Sequence, residues 1–292
     1  MKHLMRLSTF SEKEILEILN IADQLKFERK NNIKHKLLKG KTLGMFMNNS
    51  ASSTRASFEV GMYDLGGHAL LLSDKGISEG KWDNISDFAA VLTRFVDGIA
   101  VRTDNHEDAE AFAEGSIVPV INTKSDKVNP CQALADLMTI RERKGSFKGR
   151  KLCCVGSGSS VNSIIVGAIK MGMAVCVATP ENHKPDAEIM QWAQENGEFS
   201  CTDNVTEAAK DADVIYIEAW SKGEAKGYTV DKTVMEAAKD DAILLHCLPI
   251  HRGEEITEDV LEKHQNVIYD QAENRMHAEK AVLVKLLGNN KK

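Results

Sequence analysis

Along this chain, short apolar runs alternate with longer stretches whose apolar residues recur at helical spacing. Residues 11–14 read Ser-Glu-Lys-Glu, a serine followed three positions later by a glutamate, the pattern that satisfies backbone N–H groups at a helix start. Ile15, Ile18, Leu19, Ala22 and Leu25 then share one helical face, so a helix over 11–28 is predicted. Runs rich in β-branched residues at 42–47, 68–73, 98–102 and 118–122 predict strands, with helix-length segments between them at 55–65, 85–95 and 107–113. Residues 131–143 read as one long helix, and the polar, glycine-bearing stretch 144–150 interrupts the pattern. The alternation restarts with strands at 151–155, 174–179, 214–218 and 242–249; a last strand at 266–269 is expected to lead into a helix over 273–287. Strand–helix alternation implies parallel sheets covered on both faces. The fold expected is α/β, two doubly wound parallel-sheet domains joined near 144–150.

Composition narrows the chemistry. With 292 residues there is room for two cores of roughly 140 residues each. A net charge of -6 supplies no general basic field, which excludes nucleic acid or an anionic membrane as partner and requires a local cluster of donors for any anionic ligand. No run approaches the roughly 18 apolar residues of a membrane span. The six cysteines (Cys131, Cys153, Cys154, Cys176, Cys201, Cys247) form no CxxC pair, and three lie in strand-like runs. Buried thiols in a reducing compartment are expected, hence a cytoplasmic protein.

Ligands of parallel sheets gather at strand-to-helix turns, and six turns carry candidate chemistry. Residues 48–59 combine hydroxyls (Ser52, Ser53, Thr54) with Arg55 before a helix, which suits either a phosphate cradle or a serine-rich helix cap. Arg102 ends a strand, and Asn129-Pro130-Cys131-Gln132 opens a helix, with Gln132 able to bond a carbonyl. Residues 154–160, Cys-Val-Gly-Ser-Gly-Ser-Ser, begin like a dinucleotide fingerprint but lack its third glycine. No acidic residue follows at the ribose position, so a nicotinamide cofactor is not expected. Residues 246–255 bring His246 and Cys247 to a strand end, either as a nucleophile pair or as packing. Arg275 sits in the sixth turn.

Four blocks resemble, in order, segments of the ornithine/aspartate carbamoyltransferase family, nearest its ornithine type. They are Gly-Gly-His-Ala-Leu-Leu-Leu-Ser at 66–73, Gln-Ala-Leu-Ala-Asp-Leu at 132–137, His-Cys-Leu-Pro with Arg-Gly-Glu-Glu-Ile-Thr within 246–257, and Ala-Glu-Asn-Arg-Met-His at 272–277. The resemblance implies a carbamoyl-phosphate domain (1–143), an amine-substrate domain (144–270) and a C-terminal helix (271–292) that bridges them and packs back on the first. It also implies a homotrimer, substrates that are carbamoyl phosphate and an amine, and catalysis by positioning and charge stabilisation without metal or organic cofactor. Carried across by position, Ser52, Ser53, Thr54, Arg55 and Arg102 correspond to phosphate ligands. Asn129, Gln132 and Leu248 correspond to carbonyl ligands, and Ser160, Glu218, Ser221, Lys222 and Cys247 to amine-substrate ligands. Arg102, Gln132, Cys247 and Arg275 form the catalytic set.

The match is uneven. Where the family has Ser-Thr-Arg-Thr-Arg, this chain has Ala51, Ser52, Ser53, Thr54 and Arg55, so the first arginine is a serine. The family's histidine is Asn129, which cannot carry positive charge. Asparagine is replaced by Ser160, aspartate by Glu218, and Lys222 is introduced; Trp82 stands in the loop that the family lends to a neighbouring subunit. Three readings follow: an ornithine-type carbamoyltransferase making citrulline, a transferase using another (anionic or acylated) amine or donor, and an inactive metabolite-binding or regulatory paralogue. The first is preferred because the resemblance runs from about residue 3 to 287.

Overall fold

A computed structural model describes residues 2–47, 51–72, 84–220 and 227–288. The chain divides into two compact units, one running to Cys131 and resuming at Arg275, the other spanning Gln132–Asn274. Both passages fall inside helices and not in loops.

The first unit contains α1 (Glu12–Lys30), β1 (Thr42–Phe46), α2 (Ser52–Asp64), β2 (His68–Leu72), α3 (Ile85–Leu92), β3 (Gly98–Arg102), α4 (His106–Gly115) and β4 (Val120–Lys124), followed by the start of α5 (Pro130–Lys144). Its four strands form a parallel sheet in the order β2-β1-β3-β4. The α1 start is set as the sequence predicts: the Ser11 hydroxyl accepts from the Glu14 N–H at 3.2 Å, and the Ser11 N–H donates to Glu14 Oε2 at 2.9 Å. All five apolar residues of its expected face are buried. Between the sheet and α3 and α4, the rings of Phe46, Phe88 and Phe112 lie 5.0–6.0 Å apart, centroid to centroid, in tilted and edge-on arrangements.

In the second unit come β5 (Lys151–Val155), α6 (Ser159–Lys170), β6 (Ala174–Ala178), α7 (Ala187–Asn196), β7 (Phe199–Thr202), α8 (Val205–Ala209), β8 (Val214–Ile217), α9 (Lys232–Ala237), β9 (Ile243–His246) and the first half of α10 (Glu258–Leu287). Its five strands are parallel, in the order β7-β6-β5-β8-β9. The core side chains of β5 and β8 (Cys153, Val155, Ile215, Ile217) pack with Trp220, Leu244 and Ile268. Cys153 and Cys154 are free thiols; burial pushes both well up and leaves them as packing groups.

Two expectations need correction. Residues 266–269 are not a strand but lie within the uninterrupted α10. Val267 and Ile268 read as a short β-branched run, yet the buried positions Leu261, Ile268, Gln271, Asn274 and Ala278 recur at helical spacing, and that stripe wins. Strand β7 was not expected, because its half-polar sequence Phe-Ser-Cys-Thr carries little apolar signal on this sheet edge.

One buried charge ties the lower end of the second sheet. Asp213, just before β8, accepts from Arg150 Nη1 (2.8 Å), Lys239 Nζ (2.8 Å) and the Lys151 N–H (2.9 Å). Burial pushes its carboxyl upward, but the hydrogen bonds from Lys239, Lys151 and Arg150 outweigh that and hold it below the ordinary aspartate range. A group whose folded pKa is lowered contributes stability that is complete above its unfolded value, about 3.9, and is lost as pH falls through the folded value. Urea unfolding of Asp213→Ala should therefore show a loss of about 3 kcal/mol at pH 7, because three donors are left around an empty site. The difference from the parent should shrink at pH 3; a constant difference across that range would assign the loss to packing alone.

Candidate active site

In a doubly wound sheet the carboxyl-end crevice opens where strand order reverses, because neighbouring turns leave towards opposite faces. That point lies between β1 and β3 in the first unit and between β5 and β8 in the second. The turns that flank these points hold most of the residues singled out from sequence.

In the first unit, α2 starts directly after β1, with Ser52 and Ser53 exposed in its first turn and Thr54 buried. Arg275 of α10 donates from Nη2 to Thr54 Oγ1 at 2.9 Å and from Nε to Glu279 Oε1 at 3.0 Å. Glu279 is fully buried; burial pushes its carboxyl up, with Arg275 acting in the other direction. Arg102 closes β3. Burial first, and then the nearby charge of Arg275, disfavours its charged form, with Asp104 a smaller opposing influence. Two guanidiniums that repel each other beside a hydroxyl make a place where an anion is stabilised from both sides. Arg55 is exposed on the next face of α2, where its Nε donates to Glu59 Oε1 at 2.8 Å. With Ser52, Ala56, Glu59 and Leu71 it lines a cavity of about 280 Å3. The structure thus groups Thr54, Arg102 and Arg275, and separately Ser52 and Arg55. Asn129 is buried immediately before α5. Its neighbour Cys131 is a packing residue, with Sγ donating to the Asn122 carbonyl at 3.7 Å and its thiol pushed up by burial.

The second unit's turn after β5 carries Gly156 (φ 100°) and Gly158 (φ 148°). Glu218, just past β8, sends its carboxylate into the N-terminus of α6, accepting from the Ser160 N–H at 3.1 Å and the Val161 N–H at 2.9 Å. A Cβ on Gly158 would sit 2.7 Å from Glu218 Oε2, so only glycine permits this approach. The helix end that would receive a pyrophosphate in a dinucleotide site is filled by the chain's own carboxylate. Ser160 and Glu218 are therefore brought together, through backbone and side chain respectively. Ser221 and Lys222, like Trp82, lie outside the described residues.

Beyond β9, His246 Nδ1 accepts from the Leu248 N–H at 2.9 Å, which puts the ring proton on Nε2, 3.2 Å from Glu255 Oε1. Burial pushes Glu255 up, but hydrogen bonds from His246 and the His251 N–H keep it below the usual glutamate range. Both ring nitrogens of His246 are engaged, by the Leu248 N–H and by Glu255. The imidazole holds the Cys247–Leu248 turn, where Leu248 takes φ 54°. Beneath it, the His246 N–H donates to Gln271 Oε1 (2.9 Å), and Gln271 Nε2 donates to Asp136 Oδ1 (2.6 Å). Gln132 Nε2 donates to the same Asp136 oxygen at 2.8 Å. One carboxylate thus orients Gln132 and anchors the base of the Cys247 turn.

Sequence reasoning missed Asp136, Gln271, Glu255 and Glu279. Asp136 and Glu279 each stand four residues after a chosen residue, Gln132 and Arg275, a helical-neighbour signal available in the sequence. The Gln271–Asp136 pairing spans 135 positions and had no local signal.

Fold and turns together define a two-unit parallel-sheet protein with a cluster of two arginines and a threonine at one switch point and an amide-and-carboxylate cluster at the other. Residues 2–142 match the family model for the aspartate/ornithine carbamoyltransferase carbamoyl-P binding domain, and residues 148–286 match the Asp/Orn binding domain. An ornithine carbamoyltransferase of Pyrococcus abyssi is 43% identical over 304 residues, covering 98% of this chain and 96% of the relative. That of Methanocorpusculum labreanum is 42% identical, with 98% of each chain covered. Among solved structures, the ornithine carbamoyltransferase from Pyrococcus furiosus superimposes with a TM-score of 0.94 at 42% identity, covering 100% of this chain and 98% of the other. The Thermus thermophilus enzyme gives 0.91 at 37%, covering 98% and 99%. This chain belongs to the aspartate/ornithine carbamoyltransferase family.

Replacing Gln271 by Leu should strip the His246 N–H of its acceptor and Asp136 of one donor. The expected loss is about 2 kcal/mol or more in chemical denaturation, since unmet buried polar groups carry their full desolvation cost. A change below about 0.5 kcal/mol, the usual range for surface sites, would mean that the network does not anchor the turn.

Proposed function

We propose that this protein transfers the carbamoyl group of carbamoyl phosphate to the amine of L-ornithine, yielding citrulline and phosphate. The observation that carries this reading is the Thr54–Arg275 hydrogen bond beside Arg102 at the first unit's switch point, in a chain that matches the family over residues 2–142 and 148–286. The uncharged amine attacks the carbamoyl carbon, the carbon–oxygen bond to phosphate breaks, and phosphate departs with the electron pair while the amine gives up a proton. Arg102 and Arg275 stabilise the negative charge growing on the phosphate, assisted by Thr54. Gln132, Asn129 and the Leu248 carbonyl hold the carbamoyl group. Ser160, Glu218, Ser221, Lys222 and Cys247 receive the amine substrate. Residues 1–143 act as the donor domain and 144–270 as the acceptor domain, with 271–292 completing the first.

We also place the protein in arginine metabolism, as a cytoplasmic homotrimer. Val60 of α2 and Leu70 and Leu71 of the edge strand β2 are exposed apolar side chains, which supports contact with a second copy on this face. Among the described residues no helix is long and apolar enough to cross a membrane.

Phosphate release from carbamoyl phosphate, followed with ornithine, putrescine, aspartate and acylated ornithines, tests the reaction. Ornithine-dependent release is expected; its absence for every amine, together with no heat-stability shift from carbamoyl phosphate, would refute the assignment. Arg102→Ala should lower kcat/KM by at least about tenfold, the scale of one charged hydrogen bond of 1.5–3 kcal/mol. Conversely, Ser53→Arg combined with Asn129→His restores the family's charged groups and should raise turnover about tenfold or more. An unchanged rate in that double variant would show that these two positions do not limit catalysis.

A further inference from the structure

A second concentration of positive charge lies away from all the residues assigned above. The end of α1, the loop to β1, the α2–β2 turn and α10 enclose a cavity of about 630 Å3, within the range of small-molecule sites. Five cationic side chains line it, Arg29, Lys34, Lys36, Lys39 and Lys280, against a single carboxylate, Asp64. Asp64 is already engaged, by Lys280 at 3.1 Å and by Arg29. Lys280 is 1% exposed, and its stem passes over Gly61, where a Cβ would come within 3.1 Å of Lys280 Cγ. These pairs build a rigid floor.

Above that floor, Lys34, Lys36 and Lys39 are exposed and form no ion pair among the described residues. The loop that carries them lies against Gly66, whose missing Cβ would meet Lys36 at 3.1 Å. His35 lines the same cavity; its Nε2 lies 3.3 Å from Glu28, while Nδ1 is buried with no partner in the structure. His277, on the same stretch of α10, is pushed down to about 3, first by burial and then by Lys280, Lys26 and Arg29. In a chain of net charge -6, this clustering is a local feature and not the background. At the cavity, the Tyr63 ring is 81% exposed.

We propose that this cavity binds a small anion carrying two or more linked phosphates, held by Lys34, Lys36, Lys39 and Arg29 on the Lys280–Asp64 floor. A single phosphate would engage only part of so many donors, whereas a diphosphate or triphosphate spans them. A nucleotide would in addition place its base on Tyr63. Because α2 carries Thr54 at its start and Asp64 at its end, the site and the phosphate turn share one helix.

The test is calorimetric titration of the full-length protein with pyrophosphate, ATP and inorganic phosphate, on the parent, Lys36→Glu/Lys39→Glu and Arg102→Ala. Pyrophosphate and ATP should bind the parent and the Arg102→Ala variant alike, and bind the lysine double variant at least about tenfold more weakly. Tighter binding of ATP than of pyrophosphate identifies a nucleotide; equal binding identifies the phosphates alone. Lys36→Gln/Lys39→Gln, which keeps side-chain bulk at the two exposed positions, repeats the comparison if charge reversal shifts the unfolding temperature without ligand. The proposal is overturned by no binding of either polyphosphate, by binding indifferent to both lysine variants, or by binding lost in Arg102→Ala with the lysines intact. The last outcome would put the anion in the phosphate turn and leave the carbamoyl-transfer reading untouched.

Discussion

Parallel strands impose the constraint on which everything else depends. Within each sheet all carboxyl ends point to one edge, so every strand-to-helix turn is delivered there, and the reversal of strand order opens that edge at one place. In the first unit this brings the turn after β1 next to the end of β3, and Thr54 and Arg102 follow from that geometry. The second unit applies the same rule to the turn after β5 and the residue after β8, which is why Glu218 meets the start of α6. The two clusters differ in chemistry because their turns differ in sequence, while their positions are set by topology.

Charge in both clusters is held by groups buried beside it. Arg275 is oriented by Glu279 and Thr54, and its own charge bears on Arg102. Such a pair of cations is costly when empty and favourable around an anion, the electrostatic preorganisation that phosphate departure requires. Ser53, next to Thr54 in the sequence, and Asn129 are uncharged side chains. On the acceptor side, the longer glutamate at position 218 reaches two backbone N–H groups of α6, and glycine at 158 makes the space for it. Glu218 thus acts as a cap of α6, its carboxylate set against the positive end of the helix.

The Cys247 turn illustrates how much of a site lies underneath it. Its residues are plain in the sequence, but a neighbouring imidazole that looks like a catalytic partner turns out to be a strut between the Leu248 N–H and Glu255. The turn and Gln132 rest on one oxygen of Asp136, reached through Gln271. A buried carboxylate with two amide donors is well suited to such a role, because away from water each hydrogen bond it accepts is strengthened by the low local dielectric.

Period and local chemistry were enough to read the first helix, expected over 11–28 and found over 12–30, with its Ser11–Glu14 box, all but one of the strands and the parallel α/β class; the turn expected at 271–275 is instead the middle of α10. Those are properties of residues within a few positions of one another, and hydrophobic spacing reports them directly. The same locality explains the failures: Val267 and Ile268 look like a strand when seen alone, and β7 is too short and polar to stand out. Strand order, the Asp136–Gln271 link, the capture of Glu218 by α6 and the gathering of lysines around Asp64 were decided only in the folded chain. Each joins residues tens to more than a hundred positions apart, and such pairings are selected by burial and by the need to satisfy polar groups away from water, which no local pattern encodes.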